Sequence, residues 1–273
     1  MRNVGRKLAF VLAATNHGSM IVNRFDQRML DTDRGYGVGH QLLETGVYDG
    51  LEIELSTQLL ELRHRYHGDG VLALDCGANI GVHAVEWATA MTGWGSVMAF
   101  EPQERIYYAL AGNIALNNSF NAVAMQAAVG AESGIMSMPT PDYLKPASFG
   151  NLELKQRDGT EYIGQDIDYS PENGVPVQVI AIDSLRLARV DLIKLDVEGM
   201  EMEALDGAGE TIARCQPILL VETAKIDREE LRAWLGERDY VAVDAGLNLL
   251  AIHRSDETLT QLQLDVLARS SAA

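Results

Sequence analysis

The sequence predicts a doubly wound α/β fold: a mostly parallel seven-stranded sheet, helices on both faces, and an antiparallel hairpin at its C-terminal end. Three observations lead there. Apolar runs of strand length alternate with helical periodicities through residues 71–253. The first of those runs, 71–75, lacks the polar alternation of a half-exposed strand, as a strand covered on both faces requires. That run ends in a glycine turn, Asp75-Cys-Gly-Ala-Asn-Ile-Gly81, which opens directly into a helix.

The elements follow in chain order. Residues 1–7 are basic and 8–14 apolar, an arrangement with the look of a short secretory leader; it is read here as a packing helix or strand, and nothing reaches the ~20 apolar residues of a membrane span. Residues 35–50 are glycine-rich and read as loop, and 51–66 have helical periodicity. After the strand at 71–75, Ile80, Ala84, Trp87, Ala88 and Met91 fall at helical spacing, so a helix is expected over 80–91, with Trp87 and Trp94 packing it. A second strand at 97–100 ends in Glu101-Pro102. Further helices are expected at 103–117, 199–213 and 227–236, and further strands at 122–129, 177–182, 191–197, 217–222, 240–244 and 249–253. Asp244-Ala-Gly-Leu-Asn248 supplies the turn of the last hairpin. Residues 131–176, punctuated by Pro139, Pro141, Pro146 and Pro171, are too long for a connector and read as a lid or acceptor-binding insertion. The organisation is thus an N-terminal extension and helix over 1–70, then a cofactor-binding domain over 71–273 carrying that insertion.

Composition sets outer limits. The 273 residues, 47% hydrophobic, suffice for one large α/β domain. A net charge of −17 repels nucleic-acid phosphates and anionic lipid unless a basic patch offsets it. None is found: Arg63, His64, Arg65 and His67 make only a short cluster, read as a solvated helix end. Cys76 and Cys215 cannot make a disulfide framework, which fits a reducing, cytoplasmic setting.

The turn and the strand after it carry the binding chemistry. Gly77 and Gly81 let the backbone bend and a ligand approach, and the helix aims its free amides at the bend. Glu101, at the tip of the next strand, is placed to accept hydrogen bonds from two ribose hydroxyls. Asn79 stands where a dinucleotide fingerprint needs its third glycine, which disfavours NAD and FAD. S-adenosylmethionine fits instead, its methionine tail at the turn and its ribose at Glu101. Ala78, Pro102 and Ala128 join these as candidate cofactor contacts. A glycine turn in an α/β protein without any ligand is the competing reading.

A second constellation is Asp191-Leu-Ile-Lys-Leu-Asp-Val-Glu-Gly199. As a strand it places Lys194, Asp196 and Glu198 on one side and Ile193, Leu195 and Val197 on the other. Three charges stepping along one side are costly to bury for nothing. Pro217-Ile-Leu-Leu-Val-Glu222 repeats the pattern of an apolar strand with a terminal acid. Asp75, Glu101, Asp196, Glu198 and Glu222 therefore gather at the strand ends where open α/β sheets bind ligands.

These segments together resemble the FkbM-type methyltransferase family: the Asp75 to Gly81 turn, Phe100-Glu101-Pro102, and the strand from Ile193 to Gly199 followed by 217–222. The resemblance covers about 46–253. It implies a Rossmann-like class I methyltransferase fold and S-adenosylmethionine-dependent methyl transfer, usually to a hydroxyl of a sugar, polysaccharide precursor or natural product. It makes Asp75, Gly77, Asn79 and Glu101 cofactor contacts, and Asp196 and Glu198 active-site residues. The first thirty or so residues and the insertion match no family pattern, and acceptor choice is expected there.

Methyl transfer from a sulfonium rests mainly on alignment, but a hydroxyl acceptor must also lose a proton. Asp196 or Glu198 is the first candidate base. Lys194 would pair with either acid or relay the proton, unless the group is a purely structural ion pair. His83, two residues past the turn, is the runner-up base, with capping or packing as its plainer role. Asp196, Glu198 and Glu222 could gather a divalent cation; this is not favoured, and no metal ligand is assigned. Tyr143, Phe149, Tyr162 and Tyr169 are candidates to stack on an acceptor or to pack the interior, and Asn151, Lys155 and Arg157 are weaker polar candidates. A nicotinamide-dependent oxidoreductase and a catalytically inactive binding subunit are the competing functions. The first suffers from Asn79 and from the lack of a Tyr-Lys pair, the second from the retained charges. The expected partner is a small-molecule or glycan hydroxyl acceptor, with no nucleic acid and no membrane span; a homo-oligomer stays open.

Overall fold

A computed structural model describes residues 7–31 and 35–261 of the chain. Seven strands make the central sheet: β1 Val71–Cys76, β2 Gly95–Phe100, β3 Ala122–Met125, β4 Leu192–Leu195, β5 Ile218–Glu222, β6 Tyr240–Ala245 and β7 Asn248–His253. Their spatial order is β6-β7-β5-β4-β1-β2-β3, and β7 alone runs antiparallel to its neighbours. This is the expected Rossmann-like sheet with its C-terminal hairpin. The chain moves outward from β1 to β3 and then returns to β4 beside β1, so the strand order reverses between them. A crevice opens there, at the carboxyl ends.

Both faces of the central strands are apolar because both are covered. Leu74, Cys76, Ile193 and Leu195 pack with helices α5 Glu201–Asp206, α6 Gly209–Cys215 and α7 Arg228–Gly236 on one side. Val71, Ala73 and Leu192 face α2 Gly50–His67, α3 Val82–Ala90 and Leu110 of α4 Glu104–Leu116 on the other. Trp87 of α3 is fully buried and donates its indole N–H to Ser56 Oγ of α2 at 2.9 Å, locking the two helices together. Trp94 stacks instead on His64 of α2, with ring centroids 4.3 Å apart. One polar pair interrupts this second face. Asp75 and Lys194 are register neighbours on β1 and β4, at the crevice end.

Several local expectations are corrected. Residues 35–50 are not all loop, since Val38–Thr45 forms α1, whose Val38 and Leu42 are buried. The first apolar run takes the strand alternative: Phe10–Thr15 pairs antiparallel with Gly18–Asn23, and this hairpin rests on α4, where Asn113 Nδ2 ties it to the glycine turn through Ile80 O at 2.8 Å. Helix α3 starts at Val82 and not Ile80, because Asn79 and Gly81 occupy the left-handed region, at φ 50° and 86°. The strand expected over 122–129 breaks after Met125; Ala128–Val129 joins Val175–Ile180 and Gly134–Met138 in a separate three-stranded sheet. The single helix expected over 199–213 is two, broken where Gly207 packs so closely on the Gly130 carbonyl that a Cβ would collide. Asp183 accepts from the Glu210 and Thr211 amides at 2.9 and 2.7 Å and so starts the second of them.

Arg63 is not part of a solvated helix end. It is buried, bridging Asp191 at 3.1 Å and Asp256, and so clamps α2 against the base of β4 and the C-terminal segment. Among the described residues, no helix is long and apolar enough to cross a membrane.

Candidate active site

A cavity of about 780 Å³ lies at the reversal point, a size suited to a nucleoside cofactor and a small acceptor together. Gly77, Ala78, Asn79, Glu101, Pro102, Ala128, His83, Lys194, Asp196, Glu198 and Glu222 all line it.

The end near β1 and β2 is built by backbone. The amides of Gly77 and Ala78 both donate to Phe100 O, at 3.0 and 2.9 Å, folding the turn onto β2. Gly77 has φ 82°, and a Cβ there would strike the carbonyl of Asp196, so only glycine lets the turn lie against the β4 end. Glu101 is 4% exposed; its Oε2 accepts from the Asn79 amide at 3.0 Å and its Oε1 from the Gln103 amide at 2.8 Å. Burial pushes its carboxyl up to about 8, against the pull of those two amides. Each oxygen keeps a further lone pair, which is the fit a ribose diol requires. No side chain caps α3, so its first amides remain available at the turn.

Asp75 and Gly81 do not line the cavity. Asp75 is 1% exposed with both oxygens lacking a hydrogen-bond partner, beneath the floor and within the field of Lys194; burial raises its pKa. Gly81 instead holds the left-handed entry to α3 against Leu110. Gly81 thus supports the turn from outside the cavity, and Asp75 lies behind it as a buried neighbour of Lys194.

At the β4 end, Lys194 Nζ donates to Asp196 Oδ2 at 2.8 Å. Burial alone would discharge this lysine, but Asp196, Glu52 and Asp75 outweigh it and hold its pKa above the usual value. The Asp196 side chain is 30% exposed, toward the cavity. The predicted one-sided stripe ends here. The strand stops at Leu195, and Glu198 and Gly199 turn left-handed at φ 55° and 89°, because Glu201 gathers the Val197 and Gly199 amides at 3.0 Å each. Glu198 therefore pairs with Lys225 and not with Lys194. Burial raises Glu198 well above the carboxylate range, and burial with the nearby Asp196 charge brings Glu222 to about 7.

His83 is buried in the first turn of α3, its ring edge on Trp87 and its Nε2 3.1 Å from Glu52 Oε1. Glu52, opposed by burial but favoured by His83, Lys194 and Asn248, is lowered to about 2. Among the described residues, Asp196, Glu198 and Glu222 do not bring three ligating atoms together.

Sequence reasoning missed one wall. Tyr48, Asp49 and Glu52, around the start of α2, line the cavity together with Tyr36, Gln41 and Asn248. The only available signal was acids at the start of a helical pattern. Lys225 was missed as well; its Nζ reaches Asn151 O at 3.1 Å, Glu198 Oε2 and, at 3.8 Å, Glu161. Of the insertion's aromatics, Tyr143 and Phe149 pack on one another at 5.0 Å, and Tyr162 lies beneath Arg28. Asn151 lines the cavity; Lys155 and Arg157 do not, pairing instead with Glu203 at 3.1 Å and with Glu153 and Gly199 O, so that they fasten the insertion to α5 and to the loop after β4.

The methyltransferase FkbM domain family matches residues 75–242. A methyltransferase, sdnD, from Sordaria araneosa is 28% identical over 170 residues, 55% of this chain and 65% of that protein, so the chain spans less than two thirds of the relative's length. A solved methyltransferase FkbM from Methylobacillus flagellatus KT aligns at 19% identity and TM-score 0.47, over 68% of this chain and 44% of that one. A precorrin-6y C5,15-methyltransferase from Geobacter metallireducens GS-15 aligns at 13% identity and TM-score 0.42, over 77% and 90%.

Proposed function

The chain belongs to the FkbM family of methyltransferases, and we propose that it transfers a methyl group from S-adenosylmethionine to a hydroxyl of a small molecule or glycan precursor. One observation carries this reading: a single cavity brings the Gly77–Asn79 turn and Glu101 together with the Lys194–Asp196 pair.

The donor supplies an electrophilic methyl on a sulfonium. Gly77, Ala78 and Asn79 would seat its amino-acid end, Glu101 would accept from both ribose hydroxyls, and Pro102 and Ala128 would flank the nucleoside. With the donor bound and its methyl passing to the acceptor oxygen, Asp196 would be the group that takes the hydroxyl proton. Lys194 restrains the Asp196 carboxylate through their 2.8 Å hydrogen bond. Gly81 acts from outside the cavity, as a support of the turn, and Asp75 adds its field behind Lys194. Glu198 holds the lid side of the site through Lys225. In this reading residues 71–273 form the catalytic domain, and the N-terminal segments together with 131–176 shape the acceptor side.

Calorimetry with S-adenosylmethionine or its demethylated product tests the reading, followed by a labelled-methyl screen of hydroxylated metabolites and sugar nucleotides. Asp196→Asn is expected to lose turnover by ~10²-fold or more, as for a general base, with donor affinity retained. A wild-type chain that binds neither donor nor product would overturn the assignment, and unchanged turnover in Asp196→Asn would move the proton to another group.

A further inference from the structure

The wall made by the start of α2 and the first turn of α3 has chemistry that donor binding and proton removal by Asp196 leave unused. Asp49, Glu52 and His83 all line the cavity, and one ligating atom from each lies within 4.8 Å of the other two. His83 Nε2 and Glu52 Oε1 are buried and face one another at 3.1 Å, and neither atom has any other hydrogen-bond partner among the described residues. His83 is only 5% exposed, so water from the cavity does little to satisfy it. The spacing itself is informative: two ligands at ~2.1 Å from a six-coordinate ion, at right angles, stand ~3 Å apart.

Charge points the same way. The carboxyls of Asp49, Glu52, Asp75 and Asp196 surround one ammonium, Lys194, which is itself committed to Asp196. Both oxygens of Asp75 are buried without a partner behind this cluster.

We propose that Asp49, Glu52 and His83 form a divalent-cation site in the cavity wall, with remaining positions open to the cavity. One imidazole and two carboxylates are a borderline donor set, suited to Mn²⁺ or Zn²⁺ more than to Ca²⁺. An ion held there would bind an acceptor hydroxyl and lower its pKa, so that Asp196 receives a proton already loosened. That consequence rests on the methyl-transfer reading; the ion site does not. A second triad, His67, Asp256 and Glu257, also gathers three donors, but Arg63 already occupies Asp256. It serves as the control.

The full-length chain, stripped by chelator, is titrated with Mn²⁺ by electron paramagnetic resonance and with Zn²⁺ by calorimetry, and thermal melts check folding. One ion per chain is expected, weakened at least tenfold by His83→Ala and by Glu52→Gln and unchanged by His67→Ala. Should His83→Ala fail to fold, the isosteric Glu52→Gln decides. Absence of binding overturns the proposal, as does an ion that both site variants hold as tightly as the wild type, or one that His67→Ala releases. Because the readout is the ion alone, failure to bind S-adenosylmethionine would sink the methyl-transfer reading and leave this result standing.

Discussion

The two ends of the cavity are built by different rules. The donor end is one continuous strand–turn–helix–strand unit, and its polar groups are satisfied by backbone: Glu101 by the amides of Asn79 and Gln103, the turn amides by Phe100 O. The opposite end is assembled from Tyr36, Asp49, Asn151, Glu198, Glu222 and Asn248, far apart in the chain, and charge pairs hold it together. A locally encoded unit keeps its geometry whatever docks beside it, whereas an end made of distant segments exists only once they have met. On the methyl-transfer reading, acceptor preference can therefore change, by exchange of those segments, without disturbing the donor.

The largest expected effect breaks the donor end. Gly77→Ala places a Cβ against the Asp196 carbonyl in a left-handed conformation, and should cost ~3 kcal/mol or more of stability, visible in denaturant melts. Donor binding should disappear with it. Glu101→Ala comes next: losing hydrogen bonds from two hydroxyls to a charged acceptor, at ~1.5–3 kcal/mol each, predicts donor affinity at least ~100-fold weaker by calorimetry. Retained affinity in Glu101→Ala would mean that the donor end is not where the ribose lies.

This same contrast explains what could be read in the sequence. The turn, Glu101 and the apolar strands are encoded by period and by glycine, within short windows, so the sheet and the turn beside Glu101 were legible. Reading β4 with a two-residue period placed Lys194 and Asp196 correctly as neighbours but failed at Glu198, because the strand ends at Leu195, where Glu201 draws in two amides. Glu201 lies in a segment that the pattern assigned to helix alone. Asp49 and Glu52 were invisible because surface acids at a helix start are common, and only the packing of α2 on α3 turns them toward His83. Arg63 was misjudged for the same reason: its partners, Asp191 and Asp256, are brought to it by the fold.

Lys225 sharpens the comparison at the other end. Its ammonium joins Asn151 O, Glu198 and Glu161, so three segments converge on one side chain. Lys225→Met keeps the stem but removes those ties, leaving the buried Glu198 carboxyl without the cation it pairs with. With a transferable acceptor in hand, kcat/KM should fall ~10–100-fold, the effect of breaking a buried charge pair partly relieved by solvent, while donor Kd stays within about twofold. An equal loss in donor affinity would show that the two ends are not independent.

The last comparison is a pH dependence in which stability and donor affinity move with opposite sign. Burial raises Glu101 to about 8 in the unliganded chain, above its unfolded value of 4.5. A raised carboxyl contributes its full stability below the unfolded value and loses it as pH climbs through the folded one, because the charged form is the one that burial penalises. Wild-type stability should therefore fall relative to Glu101→Gln between about pH 5 and 8, in denaturant melts run at each pH. Glu222, raised to about 7, should give the same trend relative to Glu222→Gln, over a lower and narrower window. Donor binding runs the other way. Two hydroxyls donating to Glu101 favour its charged form, so affinity should rise with pH up to about 8 and then level off, with proton release measurable by calorimetry in buffers of different ionisation enthalpy. Glu222→Gln should leave that rise intact and Glu101→Gln should flatten it; a rise that survives in Glu101→Gln would detach the donor's pH dependence from the strand tip.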